Sequence, residues 1–219
     1  MPSIKTLTPI LGGNYYHIFN RGANRQLIFY TPDNYNYFLN LLDRFLSGYV
    51  HFLAYSLLPN HFHLIVKIKD EVYQMTKENR SLSTENIGNG SISSLKIIDE
   101  EEIGKLVVRQ LKRLFITYAM AINKQENRAG NLFDPKYKRL EITKQDYLEY
   151  VIFYTHYNPE KHGFINSFKD YRYSSFKAIK TELKTNIDRK FVLGIYGGRD
   201  EFLNYHNVMH DERDDVILE

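Results

Sequence analysis

Residues 50–69 read VHFLAYSLLPNHFHLIVKIK, two apolar runs broken at Pro59-Asn60. Each run has strand length and is rich in branched and aromatic residues, and so short a break between them predicts a tight antiparallel hairpin. Side chains on a strand alternate faces with a period of two. In the second run Phe62, Leu64, Val66 and Ile68 share an apolar face suited to packing against helices, while His61 and His63 share the other. Two imidazoles side by side are a ready pair of nitrogen ligands for a divalent metal. A strand with one polar face also carries two histidines by accident, so the pair has to be weighed with its surroundings.

Upstream, residues 15–20 (YYHIFN) read as a first strand, followed by the basic turn Arg21-Gly22-Ala23-Asn24-Arg25. Thr31-Pro32-Asp33 starts a helix, with a capping hydroxyl and then proline at the first helical position. Tyr35, Phe38, Leu39, Leu42, Phe45 and Leu46 recur at helical spacing, and Gly48 ends the run. Downstream, residues 76–94 are rich in Ser, Asn, Gly and Thr and read as a flexible loop. Residues 99–125 form a long helix that buries Ile103, Leu106, Val107, Leu111, Leu114, Phe115 and Tyr118, and residues 137–142 form another strand. Thr143-Lys144-Gln145-Asp146 reads as a cap. The helix after it runs to about residue 157, where Asn158-Pro159 stops it, because a residue before proline is disfavoured in helical geometry. Residues 174–183, 188–195 and 200–207 read as short helices. Strands split by helices around a central hairpin fit an α+β fold, a ferredoxin-like antiparallel sheet with helices packed on one face. One domain is expected over residues 1–183, with an insertion at about 76–94, followed by a helical extension with an acidic tail over 184–219.

Composition narrows the chemistry. The 219 residues include no cysteine, which excludes disulfides, thiolate zinc sites and cysteine nucleophiles. No apolar run approaches the ~20 residues that span a bilayer, so no membrane association is expected. The first residues lack the apolar core of a signal peptide, so a cytoplasmic address is the default. Net charge is only +3, but residues 105–144 carry ten Lys or Arg against three acids, while residues 211–219 carry five acids against one arginine. A basic middle in a chain with 18 tyrosines and 14 phenylalanines suits nucleic acid, with cations on phosphate and rings on bases. A solvated helix face explains the charge alone equally well.

The helix that begins near residue 145 carries tyrosines at 147, 150, 154 and 157, one stripe along its length. A packed stripe explains most of them. A phenol with a pKa near ~10 is a poor nucleophile unless a cation or base favours the phenolate. A metal held by two nearby histidines would activate a scissile phosphate and stabilise negative charge. Asn158 lies four residues after Tyr154, so a helix sets its amide on the same face.

The stretches YYHIFNRGANRQLIF, LLPNHFHLIVKI, GNLFDPKYKR and YTHYNPEKHGF, in that order, resemble the single-tyrosine HUH transposases, nearest to the insertion-sequence-200-like and REP-associated tyrosine transposases. The resemblance covers roughly residues 15–179. His61-Phe62-His63 matches the histidine-hydrophobic-histidine signature. The family's tyrosine stands four residues before the asparagine of an Asn-Pro pair, which falls on Tyr154, and its third metal ligand falls on Asn158. The resemblance implies a single-stranded DNA endonuclease and strand-transfer enzyme using Mg²⁺ or Mn²⁺. Its substrate would be single-stranded DNA with hairpin structure, cut through a 5′-phosphotyrosine without ATP. Members work as monomers or as homodimers with the tyrosine acting in trans, and both stay open here. The loop at 76–94 and the segment after residue 179 exceed the family's catalytic core, and no chemistry is assigned to Gly197-Gly198 or to Phe202 and His206.

Candidate DNA contacts are Arg21 and Arg25 on the first turn, Lys105, Arg109, Lys112 and Arg113 on the long helix, and Lys136, Lys138 and Arg139 in the basic stretch. Tyr150 and Tyr157 are rivals to Tyr154, and a helix-ending cap is the rival role for Asn158. His156 is expected to face away towards solvent, and His17, on the Tyr15/Phe19 face, to be packed rather than a ligand. The competing function is a domesticated protein that binds DNA hairpins without cutting them. Another histidine-metal phosphoesterase is disfavoured, because Leu64, Ile65 and Val66 follow the pair where a metallo-β-lactamase-type site needs Asp-His.

Overall fold

A computed structural model of the chain describes residues 8–71, 73–75 and 95–211. The expected hairpin is there, with β2 (Val50–Leu58) and β3 (His61–Ile68) antiparallel and Leu58 opposite His61. β1 (Tyr15–Arg21) pairs antiparallel with the other edge of β3, and β6 (Lys138–Ile142) pairs antiparallel with β1. The four-stranded order is therefore β2-β3-β1-β6. Between β1 and β2 runs α1 (Pro32–Leu46), and between β3 and β6 runs α2 (Glu100–Gln125). Each crossover skips one strand, which is the split βαβ arrangement of a ferredoxin-like sheet.

The period-two reading of β3 decides the packing. Phe62, Leu64, Val66 and Ile68 are all fully buried or nearly so. Phe62 meets Phe38 of α1 at 5.1 Å and Phe115 of α2 at 5.7 Å between ring centroids. Each such side chain contributes about 1.5–3 kcal/mol on burial. α1 and α2 thus cover one face, as the sequence predicts. The opposite face carries an addition: α3 (Gln145–Lys161) lies over the histidine side along β2 and β3.

Two local expectations change. α3 does not stop at Asn158-Pro159 but continues through the proline to Lys161. The ring removes the N–H that would bond the Thr155 carbonyl and crowds that carbonyl. The last turn is then closed by His162 N–H on the Asn158 carbonyl at 3.1 Å and Phe164 N–H on the Pro159 carbonyl at 2.9 Å. Asn158, the position before proline where helical geometry is disfavoured, is wholly buried and hydrogen-bonded to His61. At the other end no side chain caps Lys144; Asp146 instead accepts the Tyr147 N–H at 2.9 Å.

The flexible loop read at 76–94 lies outside the described residues. The stretches on either side of it, β4 (Tyr73–Met75) and β5 (Leu95–Ile97), pair as a two-stranded ribbon that the sequence did not announce. After α3 come α4 (Phe176–Lys180), α5 (Arg189–Tyr196) and α6 (Arg199–Asp211). Ile187, Val192 and Phe202 join the same hydrophobic core as the sheet, so residues 184–211 extend that core rather than building a separate one. Among the described residues no helix is long and apolar enough to cross a membrane.

Candidate metal and DNA site

The site begins at the hairpin tip. The Pro59 carbonyl accepts the N–H groups of Ile28 and Phe29, at 2.8 and 3.0 Å, and the Asn60 carbonyl accepts that of Gly22 at 2.8 Å. A β-carbon on Gly22 would collide with the Gln26 carbonyl oxygen, so the chain passes this close only with glycine. These main-chain bonds fix His61, the first residue after the turn.

His61 and His63 point the same way, with ring centroids 5.3 Å apart. His61 Nδ1 lies 2.7 Å from Asn60 Oδ1, and its Nε2 lies 3.0 Å from Asn158 Oδ1. With its proton on Nε2, His61 donates to the Asn158 oxygen; with its proton on Nδ1, donating to Asn60, Nε2 carries the lone pair that a cation needs. His63 Nδ1 lies 2.9 Å from His17 Nε2, while its own Nε2 is buried with no hydrogen-bond partner. Burial, and then the neighbouring rings of His17, His61 and His162 and the ammonium of Lys161, hold His63 well below its ordinary value, so its ring is neutral.

Among the described residues no group of three His, Cys, Asp or Glu side chains is arranged to hold a metal ion. The donor set that a metal would meet is two imidazole nitrogens and one amide oxygen. Adjacent ligands of an octahedral ion at about 2.1 Å are about 3.0 Å apart, which is the spacing found between His61 Nε2 and Asn158 Oδ1. The buried His63 nitrogen without a hydrogen-bond partner, beside a second imidazole and an amide oxygen, is a donor set that fits a divalent ion.

A cleft of about 390 Å³ opens over the pair. Arg21, Arg25, Lys136 and Lys138 line it with His61 and His63, as do Phe19, His162 and the 43 % exposed Phe164. Lys136 arrives because the chain after α2 is stitched to the end of β1: Ala23 N–H bonds the Leu132 carbonyl and Asp134 N–H the Arg21 carbonyl. Arg21 also pairs with Asp134 at 2.8 Å. The remaining candidate cations lie elsewhere. Lys105, Arg109, Lys112 and Arg113 are exposed on α2, on the Phe62 side of the sheet. Arg139 alternates with Lys138 on β6, so it points away from the cleft and bonds the Thr8 carbonyl and the Tyr137 hydroxyl.

Tyr154 stands behind the pair, its ring edge-on to His63 at 6.2 Å and the Lys161 ammonium 4.9 Å over its face. It is 2 % exposed and does not line the cleft. Tyr150 meets Tyr147, Phe153 and Tyr154, and Tyr157 meets Phe153, Phe168 and His210, so neither shares Tyr154's contact with the histidines.

The expectation for His156 is overturned. It is fully buried, with Nδ1 2.9 Å from His206 Nε2 and Nε2 2.8 Å from Ser175 Oγ. α6 covers that side of α3, which a tyrosine stripe on the other side gives no means of foreseeing. His17 is packed, as expected, yet it touches His63, a contact that requires the β1–β3 register to find. No sequence pattern marks His162; the helix continuing past Pro159 brings its ring to 5.1 Å from His61.

Sheet, hairpin and covering helix define an α+β, ferredoxin-like protein with a histidine pair at the mouth of a basic cleft. Neither a family model nor a curated protein sequence matches the chain. Among solved structures, a REP-associated tyrosine transposase bound to a REP hairpin is similar, with a TM-score of 0.50, 17% identity, and coverage of 84% of this chain and 89% of that one. At that identity the likeness speaks for the fold.

Proposed function

We propose that the protein is a metal-dependent DNA transposase of the single-tyrosine HUH kind, which cuts and rejoins single-stranded DNA bearing a hairpin. The observation that carries this reading is the His61 and His63 pair in a cationic cleft, with Asn158 within 3.0 Å of His61 and Tyr154 edge-on to His63. Mg²⁺ or Mn²⁺ bound there would supply Lewis-acid activation of the scissile phosphate. Two imidazoles favour Mn²⁺ of the two, since Mg²⁺ prefers oxygen ligands.

The chain's own groups do the rest. Arg21, Arg25, Lys136 and Lys138 hold phosphates, and the cleft is of the size that seats one small ligand, such as an unpaired nucleotide. The Tyr154 oxygen attacks phosphorus, the P–O3′ bond breaks, and the proton lost by the phenol balances the one gained by the departing 3′-oxygen. The product is a 5′-phosphotyrosine, and attack by a second 3′-hydroxyl reverses the step to join new ends.

The burial of Tyr154 favours a second reading, a hairpin-binding protein that does not cut. One assay separates the two. The protein is incubated with Mn²⁺ or Mg²⁺ and a labelled hairpin oligonucleotide taken from the flanks of its own gene. A covalent protein–DNA adduct is expected with wild type and none with Tyr154→Phe, which should still bind. Tight binding by wild type without an adduct overturns the transposase reading in favour of the binder. An adduct that survives Tyr154→Phe moves the nucleophile to another residue.

A further inference from the structure

We propose that His17 is the positioning residue of the metal site: by accepting a hydrogen bond from His63 Nδ1–H it fixes the tautomer in which His63 Nε2 is free to ligate. This rests on the reading of His61, His63 and Asn158 as a metal set. Only one imidazole–imidazole contact joins the two rings, His17 Nε2 to His63 Nδ1 at 2.9 Å. Between neutral rings such a contact holds one proton, and it has two senses. If His17 donates, His63 carries its proton on Nε2, and that nitrogen cannot bind a cation. If His63 donates, Nε2 has a bare lone pair. The second sense accounts for a buried Nε2 that has no hydrogen-bond partner, since a buried N–H without an acceptor costs about 1–3 kcal/mol. It also makes the two histidines equivalent, because His61 has Asn60 Oδ1 on its own Nδ1. Ligating histidines are commonly oriented in this way by an acceptor on the far nitrogen, whose loss weakens metal binding about 10–100-fold.

The fold holds His17 to this task. Phe19 pairs with His63 across β1 and β3, so His17 sits diagonally from His63 on the same face. Its ring lies against Phe19, centroids 4.6 Å apart and planes 28° from parallel, and it is 5 % exposed. It does not line the cleft, so it contributes no contact to DNA.

The test measures Mn²⁺ affinity calorimetrically on the full chain, with a thermal melt of every variant. His17→Gln supplies an acceptor oxygen in the place of Nε2 and should bind within about threefold of wild type. His17→Phe has the bulk but no acceptor and should bind about 10–100-fold more weakly. His63→Ala should abolish binding. Equal affinity in wild type and His17→Phe overturns the proposal, and equal loss in both His17 variants reduces His17 to a packing role and overturns it too. Undiminished binding by His63→Ala removes the metal-site reading itself, and this proposal with it. Imidazole ¹⁵N spectra of the metal-free wild type give a check that needs no variant to fold. His63 protonated on Nδ1 is the expected result, and protonation on Nε2 overturns the proposal.

Discussion

Phe164 is a large aromatic side chain left exposed where a buried one would be ordinary, and it shares the cleft with His61 and His63. A ring so placed is a platform for an unpaired base, worth about 1–3 kcal/mol by alanine substitution. Phe164→Ala should therefore weaken binding of an unpaired oligonucleotide by about 5–150-fold while leaving the melting temperature close to wild type. Fluorescence anisotropy with a short unpaired strand measures this, and unchanged affinity would remove the ring from the binding surface. Single residues also show where sequence reading stops. His61 and His63 were legible because a strand's alternation is a local property. The partner of His63 was not, since only the pairing of β1 with β3 brings His17 beside it.

At the level of elements, α6 is fastened to α3 by a hydrogen-bonded chain. The His206 Nδ1–H donates to the Phe202 carbonyl at 2.8 Å, which leaves Nε2 to accept from His156 Nδ1–H; His156 Nε2 then accepts the Ser175 hydroxyl. Every step needs both rings neutral. Burial pushes His206 down to about 3, well under the ~6.5 of a free imidazole, and pushes His156 in the same direction. The unfolded chain thus takes up these protons first. The contribution of these two histidines to stability is complete above about pH 6.5 and falls as the pH drops from there, for His206 by about 1.4 kcal/mol per pH unit down to about 3, with His156 adding a loss of the same sign. Denaturant melts should show His206→Phe less stable by about 1–3 kcal/mol at pH 7.5, because His156 loses its acceptor. The same variant should show a shallower decline between pH 6.5 and 4.5, by about one proton. An unaltered slope would place the buried proton uptake elsewhere. α3 also illustrates why an element's end is hard to read. Asn158-Pro159 is a sound stop signal locally, and it was overridden by burial and by a bond from His61, neither of which is local.

On the scale of the whole molecule, the sheet divides the basic residues into two populations. Arg21, Arg25, Lys136 and Lys138 surround the cleft, while Lys105, Arg109, Lys112 and Arg113 lie on α2 beyond the opposite face. A short unpaired strand seated over His61 meets the first set and not the second. Each glutamine substitution in the cleft set should lower the salt dependence of single-strand binding by about 0.7 in log–log slope. The α2 set should leave that slope unchanged, and titrations between low and moderate salt decide it. A slope that drops for the α2 set would mean the strand runs over the other face. The ferredoxin-like sheet was legible at this scale because hairpin, crossover helices and a last strand follow each other in the chain. The way residues 184–211 complete the core was not, since contacts such as the Asp188 N–H on the Phe52 carbonyl join distant stretches.

The two-residue turn at Pro59-Asn60 has a bearing on how this chain can change by descent. On β3 the side chains of Phe62, Leu64, Val66 and Ile68 face α1 and α2 and those of His61 and His63 face the other way, and the turn sets the count. Gain or loss of a single codon there would carry Phe62 towards the cleft and both imidazoles into the packing of α1 and α2. Point changes along β3 are graded in effect, but a change of length at its start is all or nothing. A library of one-codon insertions and deletions across the gene, sorted for folded protein, should be empty at this turn.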